Sequence, residues 1–451
     1  MKVPAKLAPV VEVEEDVFTY EPADNGSAPT WCFGCTCLVR IGDVVFASGL
    51  DTLKGVPRLN NVRWTLYKRD QKGWARQQAD EKDRTREPCP LACTADGRLF
   101  MSVNPTLVTD RTKEGGGPAR PEVLEFDPAN PKAPFRTLLP VWDGQPKFTE
   151  HSYRTFAADG PRGELIVFQN IGTSHSEWTL RDREGRWVAK GKLVWPKREN
   201  PKHAPYNSIR ARVNYPDVVL TNRAVHFVGG SAYNKWARVQ DNPDLMGRKW
   251  GSRWRRLHYT WTPDITKQPF AKWLVLASTE DTGGWLFPGD MWVGADGTAH
   301  IVWYEHPIHR KLRKEHFPDI RRTISLKYAQ VRDGKVVLRR TLVQGGEGVS
   351  DELPMGTGFP RVQHTPDGRR FLFYYVRGRD AAGKSVNENR LMELLPDGTT
   401  GAPVRVPLAH AFTGCFTATP RGGSAPSATL DIYGTRTGAK HTMSYARVKL
   451  W

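Results

Sequence analysis

Short runs of alternating or continuous apolar residues, each closed by a tight polar turn, recur along the whole chain. Thr36 to Arg40 is followed by Gly42-Asp43 and Val44 to Ser48, and Leu91 to Ala95 by Asp96-Gly97 and Leu99 to Val103. The same figure returns at Tyr153 to Ala157 with Leu165 to Gln169, and at Asp217 to Leu220 with Val225 to Gly229. It returns again at Met291 to Val293 with Ala299 to Tyr304, and at Val362 to His364 with Phe371 to Val376. A seventh pair, Phe416 to Thr419 and Thr429 to Tyr433, spans a longer loop. Asp-Gly and related pairs supply the positive φ that a two-residue hairpin demands, so each figure predicts a β-hairpin.

Second hairpins fall between these. They are Trp64 to Arg69 with Trp74 to Gln78, Trp178 to Arg183 with Trp187 to Leu193, and Arg255 to Thr262 with Trp273 to Leu276. Ile324 to Arg332 with Lys335 to Leu342, and Arg390 to Leu395 with Val404 to Pro407, complete the set. The repeat is about 55 to 75 residues long and holds two hairpins, a four-stranded antiparallel unit. Seven such units fill residues 1–451 as one all-β domain, a seven-bladed β-propeller. Val17 to Tyr20 is expected to add a strand to the last blade and latch the ring.

Composition agrees with many short strands. The 41 Gly and 34 Pro are spread through the chain, and none of their clusters is dense enough for a linker. With 66 basic and 48 acidic residues the net charge is +18, which attracts polyanions. Helix-turn-helix, zinc-finger and lysine-tail patterns are missing, which argues against nucleic acid and for an acidic polysaccharide or oligosaccharide. Apolar runs stay short of the ~18 residues that cross a bilayer, so no membrane partner is expected. The first residues lack the apolar core of a signal peptide, and the inferred substrate suggests a secreted or periplasmic protein whose signal has been removed. Six cysteines, Cys32, Cys35, Cys37, Cys89, Cys93 and Cys415, fall near the first strands of blades one, two and seven. Buried thiols, disulfides and a metal site are all open readings of them, in that order. The candidate chemistry calls for no cofactor, and a structural divalent cation stays open.

Links between second and third strands, and links into the next blade, share one face of a propeller. There the sequence places His151 and His175, which carry protons near neutral pH. It also gathers residue types that bind sugars and their carboxylates: Arg154, Trp178, Arg210, Arg212, Tyr215, Tyr233, Asn234, Glu305, His306, Arg361 and Arg377.

His-Ser-Tyr-Arg at 151 to 154, His175, and Tyr215-Pro216 at the start of the following blade resemble BNR-type (sialidase-like) propellers related to ulvan lyases and L-rhamnose–glucuronate lyases. The resemblance implies β-elimination on a uronate-containing glycan. His151, His175 and Tyr215 match the acid–base residues, and an arginine neutralises the carboxylate so that the C5 proton can leave. That arginine has no counterpart here, since the chain reads Phe227-Val228-Gly229-Gly230-Ser231; Arg154, Arg210 and Arg212 stand nearest. The alternatives are a glycoside hydrolase on the same rim, with Glu305 and Glu150 or Asp51 as carboxylates, or a non-catalytic glycan-binding propeller.

Overall fold

The computed structural model describes residues 5–82, 84–112, 116–151, 153–197, 210–231, 254–309, 313–314, 316–355 and 360–451. Seven antiparallel sheets form a ring, so the chain is an all-β seven-bladed propeller. Blade one holds Leu38–Ile41, Val44–Thr52, Val62–Asp70 and Gly73–Ala79, ordered from the axis outward. Blade two holds Leu91–Cys93, Leu99–Val103, Glu122–Phe126 and Arg136–Leu138, and blade three Thr155–Asp159, Glu164–Ile171, His175–Arg181 and Trp187–Val194. Blade four is Val213–Thr221, Ala224–Ser231, Arg256–Thr262 and Leu274–Ser278; blade five is Gly283–Val293, Ala299–Ile308, Thr323–Arg332 and Lys335–Gly346. In blade six Glu352–Pro354 and Arg361–His364 both pair with Arg370–Arg379, followed by Ser385–Leu394 and Val404–Arg405.

Blade seven takes three strands from the end of the chain, Phe412–Thr417, Thr429–Arg436 and Thr442–Lys449. Its fourth strand is Val10–Thr19, which pairs with Thr442–Lys449. The ring therefore closes through hydrogen bonds between the two ends of the described chain.

Burial follows radius. Leu99–Val103 near the axis is buried at every position, because both faces of its sheet meet a neighbouring blade. The outermost Trp187–Val194 alternates half-buried and exposed residues for most of its length. Each blade-to-blade seam has its own apolar cluster. Ile166, Phe168, Trp178 and Leu180 of blade three meet Val218, Leu220 and Phe227 of blade four. The closing seam packs Leu38, Val45 and Tyr67 of blade one against Phe416, Tyr433 and Tyr445 of blade seven.

The axis is filled. Trp31 to Cys35, ahead of the first strand of blade one, enters from the face bearing the links into each blade. The 3-10 turn Pro420–Gly422 enters from the opposite face. Between them, buried Arg421 pairs with Asp290 at 2.8 Å and with Asp217 at 3.2 Å, and its guanidinium also donates to the Gly34 carbonyl. Buried Arg361 donates to the carbonyls of Phe33 (3.1 Å), Gly289 (3.3 Å) and Cys415 (2.9 Å). Gly423, at φ +90, lies so close to the Cys93 carbonyl that an added Cβ would stand 1.7 Å from it. The turn can seat at this depth only with glycine there.

Two tests follow from this packing. Removing one partner of a buried charge group leaves the others unpaired, so Arg421→Met should lower the unfolding free energy by about 3–5 kcal/mol, measured by urea denaturation. Acid lability is the second. Burial depresses His226, His300 and His364 each to about 4, against ~6.5 in the unfolded chain. Between those pH values the unfolded state binds more protons, so stability falls as pH drops from about 6.5 to about 4. Asp217, raised by burial to about 7, opposes this trend, but it is one group against these three and His151, which burial lowers further. The urea midpoint should therefore be lower at pH 4.5 than at pH 7, and His226→Gln should shrink the difference.

Candidate active site

Blades four and five each begin with a β-bulge that does two jobs. In blade four the register slips between Asn214 and Asp217, leaving Tyr215 and Pro216 opposite Gly229. In blade five it slips between Pro288 and Asp290. A bulge bends the strand and re-aims side chains. Here each one turns a carboxylate, Asp217 or Asp290, towards Arg421 and leaves an aromatic ring, Tyr215 or Phe287, on the side of the Trp31–Cys35 segment. Gly34 makes this fit possible, because a Cβ there would sit 2.0 Å from the Pro216 carbonyl oxygen.

The result is an aromatic floor. Phe33 packs edge-on against Tyr215 (5.2 Å between centroids) and Phe287 (5.1 Å), and Trp254 stacks on Phe287 at 4.6 Å. Trp31 donates its indole N–H to the Tyr215 hydroxyl. Tyr153, in the link into blade three, meets Tyr215 at 4.6 Å in a T-shaped contact. Both tyrosines hold positive φ, 38° for Tyr153 and 45° for Tyr215. For bulky residues this costs on the order of 1–3 kcal/mol each and persists only where the surroundings enforce it.

Polar groups border the floor. His151 lies against Tyr153, with centroids 4.3 Å apart. The Arg212 guanidinium carbon sits 4.2 Å above the Tyr153 ring centroid; Arg212 donates to the Tyr153 hydroxyl at 3.3 Å and to Asn214 Oδ1 at 3.0 Å. Burial first, then the positive charges of Arg86 and Arg212, push His151 down to about 3. At neutral pH its imidazole is uncharged. Burial, with a smaller contribution from Glu87, raises Tyr215 well above the usual phenol range, so its hydroxyl keeps its proton. Glu150, next to His151 in sequence, accepts the Gly117 N–H at 3.2 Å and lies 3.6 Å from Arg86.

The other sequence candidates are placed differently. His175 opens the third strand of blade three, two strand spacings (roughly 10 Å) outward from the first strand. It is held by Glu177 at 2.9 Å and Ser174 at 2.7 Å, so the two imidazoles belong to separate clusters. Trp178, expected on the rim, is buried between blades three and four, where Gly191 admits its ring. Arg154 is also buried: it donates to the Pro88 carbonyl at 2.5 Å, in the link into blade two. Arg361 belongs to the axial network, 1% exposed. Arg210 donates to the Trp195 carbonyl at 2.9 Å. Glu305 accepts the Trp303 indole N–H at 3.2 Å, and His306 stacks on Trp285 at 3.8 Å, both on blade five. Arg377 is exposed on blade six. Tyr233 and Asn234 lie outside the described residues.

Sequence reasoning missed Trp31, Phe33, Arg86, Asn214, Trp254 and Phe287. Trp31-Cys32-Phe33-Gly34-Cys35 drew notice only for its cysteines, although two aromatics just ahead of a Gly in a link segment are themselves a binding-site signal. Among the described residues no set of three or more His, Cys, Asp or Glu side chains is grouped to hold a metal.

Fold and site together define a propeller with an aromatic cluster, bordered by Arg212, on the face that bears the links into each blade. No family model and no curated protein matches the sequence. The chain is similar in structure to an α-L-arabinofuranosidase from Fusarium graminearum, at 13% identity and TM-score 0.43, covering 80% of this chain and 92% of that one. It is similar to a protein of unknown function from Dyadobacter fermentans, at 10% identity and TM-score 0.44, covering 98% and 99%. A GH43 endo-arabinanase from Bacillus licheniformis aligns at 11% identity and TM-score 0.33, covering 85% and 100%. Likeness at this level concerns architecture.

The electrostatics of the hollow can be checked directly. Without ligand, His151 should show no protonation above about pH 4 in a histidine-labelled NMR titration. Removing one of the nearby positive charges in Arg212→Met should move its midpoint upward.

Proposed function

We propose that the chain is a carbohydrate-active enzyme whose glycan lies on the floor built by Trp31, Phe33, Tyr153, Tyr215, Trp254 and Phe287. The observation that carries this reading is the convergence of six rings from five segments beside Arg212 and an uncharged His151, with Trp31, Phe33, Tyr153 and Phe287 partly exposed and Tyr215 and Trp254 buried beneath them. Aromatic faces pack on pyranose and furanose rings, while a guanidinium pairs with a carboxylate on the sugar. A uronate-bearing glycan suits the net charge of +18, and an extracellular or periplasmic setting belongs to the same proposal.

Of the two reaction types, hydrolysis fits the site's chemistry better than β-elimination. Elimination needs a base strong enough to take the C5 proton, and the two nearest groups are poorly tuned for it. His151, at about 3, is a weak base, and Tyr215 holds its proton more tightly than free phenol. His175, the third residue of that scheme, is bound to Glu177 in another cluster. Hydrolysis instead calls on carboxyl groups. Glu150 adjoins His151, and Glu305 pairs in register with Leu286, the neighbour of Phe287 on the floor.

The discriminating experiment incubates the protein with arabinan and a panel of uronate-containing polysaccharides. Both new reducing ends and the ultraviolet absorbance of an unsaturated uronate are followed. Reducing ends without the chromophore are expected, and Glu150→Gln should slow their appearance by about 10²-fold or more with the urea midpoint unchanged. The chromophore would instead establish elimination. Retention on a glycan affinity gel without either product would reduce the reading to a binding module, and no retention would end it.

A further inference from the structure

We propose that Cys32 and Cys37 are a covalent modification site, a dithiol that closes to a disulfide and pins the floor of the hollow to blade one. All six cysteines are free and buried in the structure, but they are not equivalent. Cys32 Sγ and Cys37 Sγ stand 3.3 Å apart. The other thiols are turned to different partners. Cys35 donates to Thr155 Oγ1 at 3.2 Å, Cys89 accepts from Arg154 at 3.3 Å, and Cys93 lies 3.9 Å from Ser424 Oγ. Cys415 is in the separate seam between blades six and seven. Bond formation requires the sulfurs to close to about 2.05 Å, which is a small movement from here.

The position gives the cross-link a consequence. Cys37 immediately precedes Leu38–Ile41, the innermost strand of blade one, and Cys32 lies between Trp31 and Phe33. A bond between them encloses Phe33, Gly34, Cys35 and Thr36, and the Phe33 and Gly34 carbonyls are those bound by Arg361 and Arg421. The same short segment supports the Tyr215 and Phe287 rings. It would be fixed covalently at both ends, limiting the states open to it when the axial contacts loosen.

The oxidant is a low-molecular-weight disulfide such as oxidised glutathione. One cysteine thiolate attacks it and releases one glutathione thiol; the second then displaces the mixed disulfide and releases another. Two protein thiols become one disulfide, and one glutathione disulfide becomes two thiols, so electrons and protons balance. Burial raises Cys32 well above the normal thiol range, and Cys37 beside it reinforces this, so the exchange proceeds during folding or local opening.

The full-length protein is equilibrated in glutathione buffers of graded ratio, alkylated in denaturant, and analysed by intact mass and non-reducing peptide mapping. The oxidised protein should carry two fewer alkyl groups than the fully reduced chain, with the cross-link mapped to Cys32–Cys37. Cys35→Ser and Cys89→Ser should leave that loss of two groups intact, and Cys32→Ser should abolish it. Full alkylation at every ratio, or a cross-link that includes Cys35 or Cys89, would overturn the assignment. The wild-type map decides the matter even if a variant fails to fold. Because the readout is independent of any glycan, its outcome stands apart from that of the proposed function.

Discussion

Arg421 reaches the axis of the ring from one mouth and there meets Asp217, Asp290 and the Gly34 carbonyl. A guanidinium withdrawn from water loses several kcal/mol of hydration, and only close opposite charges and satisfied donors offset it. Both carboxylates follow bulges; the blade-four bulge itself carries the Tyr215 ring, and in blade five Phe287 lies two residues before the bulged Gly289. The segment that Arg421 holds by its Gly34 carbonyl carries two more, Trp31 and Phe33. Core electrostatics and surface geometry are thus set by the same few backbone distortions. A change that relaxes either bulge must move an aromatic ring and a buried charge together.

What could be read from sequence divides along the radius of the propeller. Inner strands such as Leu99–Val103 are buried on both faces and end in Asp-Gly or Asn-Arg turns, so local signals suffice to find them. The second hairpin of blade two escaped because Arg136–Leu138 is only a three-residue strand behind a long link. In the outer half of blade seven the latch was read, at Val17 to Tyr20, but its full extent, Val10–Thr19, and its partner Thr442–Lys449 were not, because no local pattern encodes a partner at the far end of the chain. Side-chain placement was harder still. Arg154 and Arg361 were read as surface residues because buried arginines are rare, yet carbonyl oxygens satisfy both inside the ring. Trp178 was assigned to the rim because it follows a link. Its side chain belongs to the seam between blades, where the alternation of the strand sends it. His151, Tyr215 and Arg212 do share a neighbourhood, whereas Trp31, Phe33, Trp254 and Phe287 beneath them come from three other places in the sequence.

The positive φ of Tyr153 and Tyr215 shows how the hollow is kept in shape. Neither residue gains from that backbone conformation, and in an unconstrained loop each would leave it. Tyr215 is held by the Trp31 N–H, by Phe33 and Trp254, and by the close approach of Gly34 to the bulge. Tyr153 is held between His151, Arg212 and Tyr215. Strain enforced by packing places rings and hydroxyl before any ligand arrives, which lowers the ordering cost that binding would otherwise incur.

The depressed basicity of His151 then acquires a direction. Its shift comes from burial and from Arg86 and Arg212, so the same positive field that keeps the imidazole neutral attracts an anion. A carboxylate docking beside Arg212 would cancel part of that field and raise the proton affinity of His151. Linkage makes the effect mutual: a ligand that favours the protonated imidazole binds more tightly as pH falls towards the shifted pKa. Under the proposed function, proton exchange at His151 would be coupled to occupation by charge.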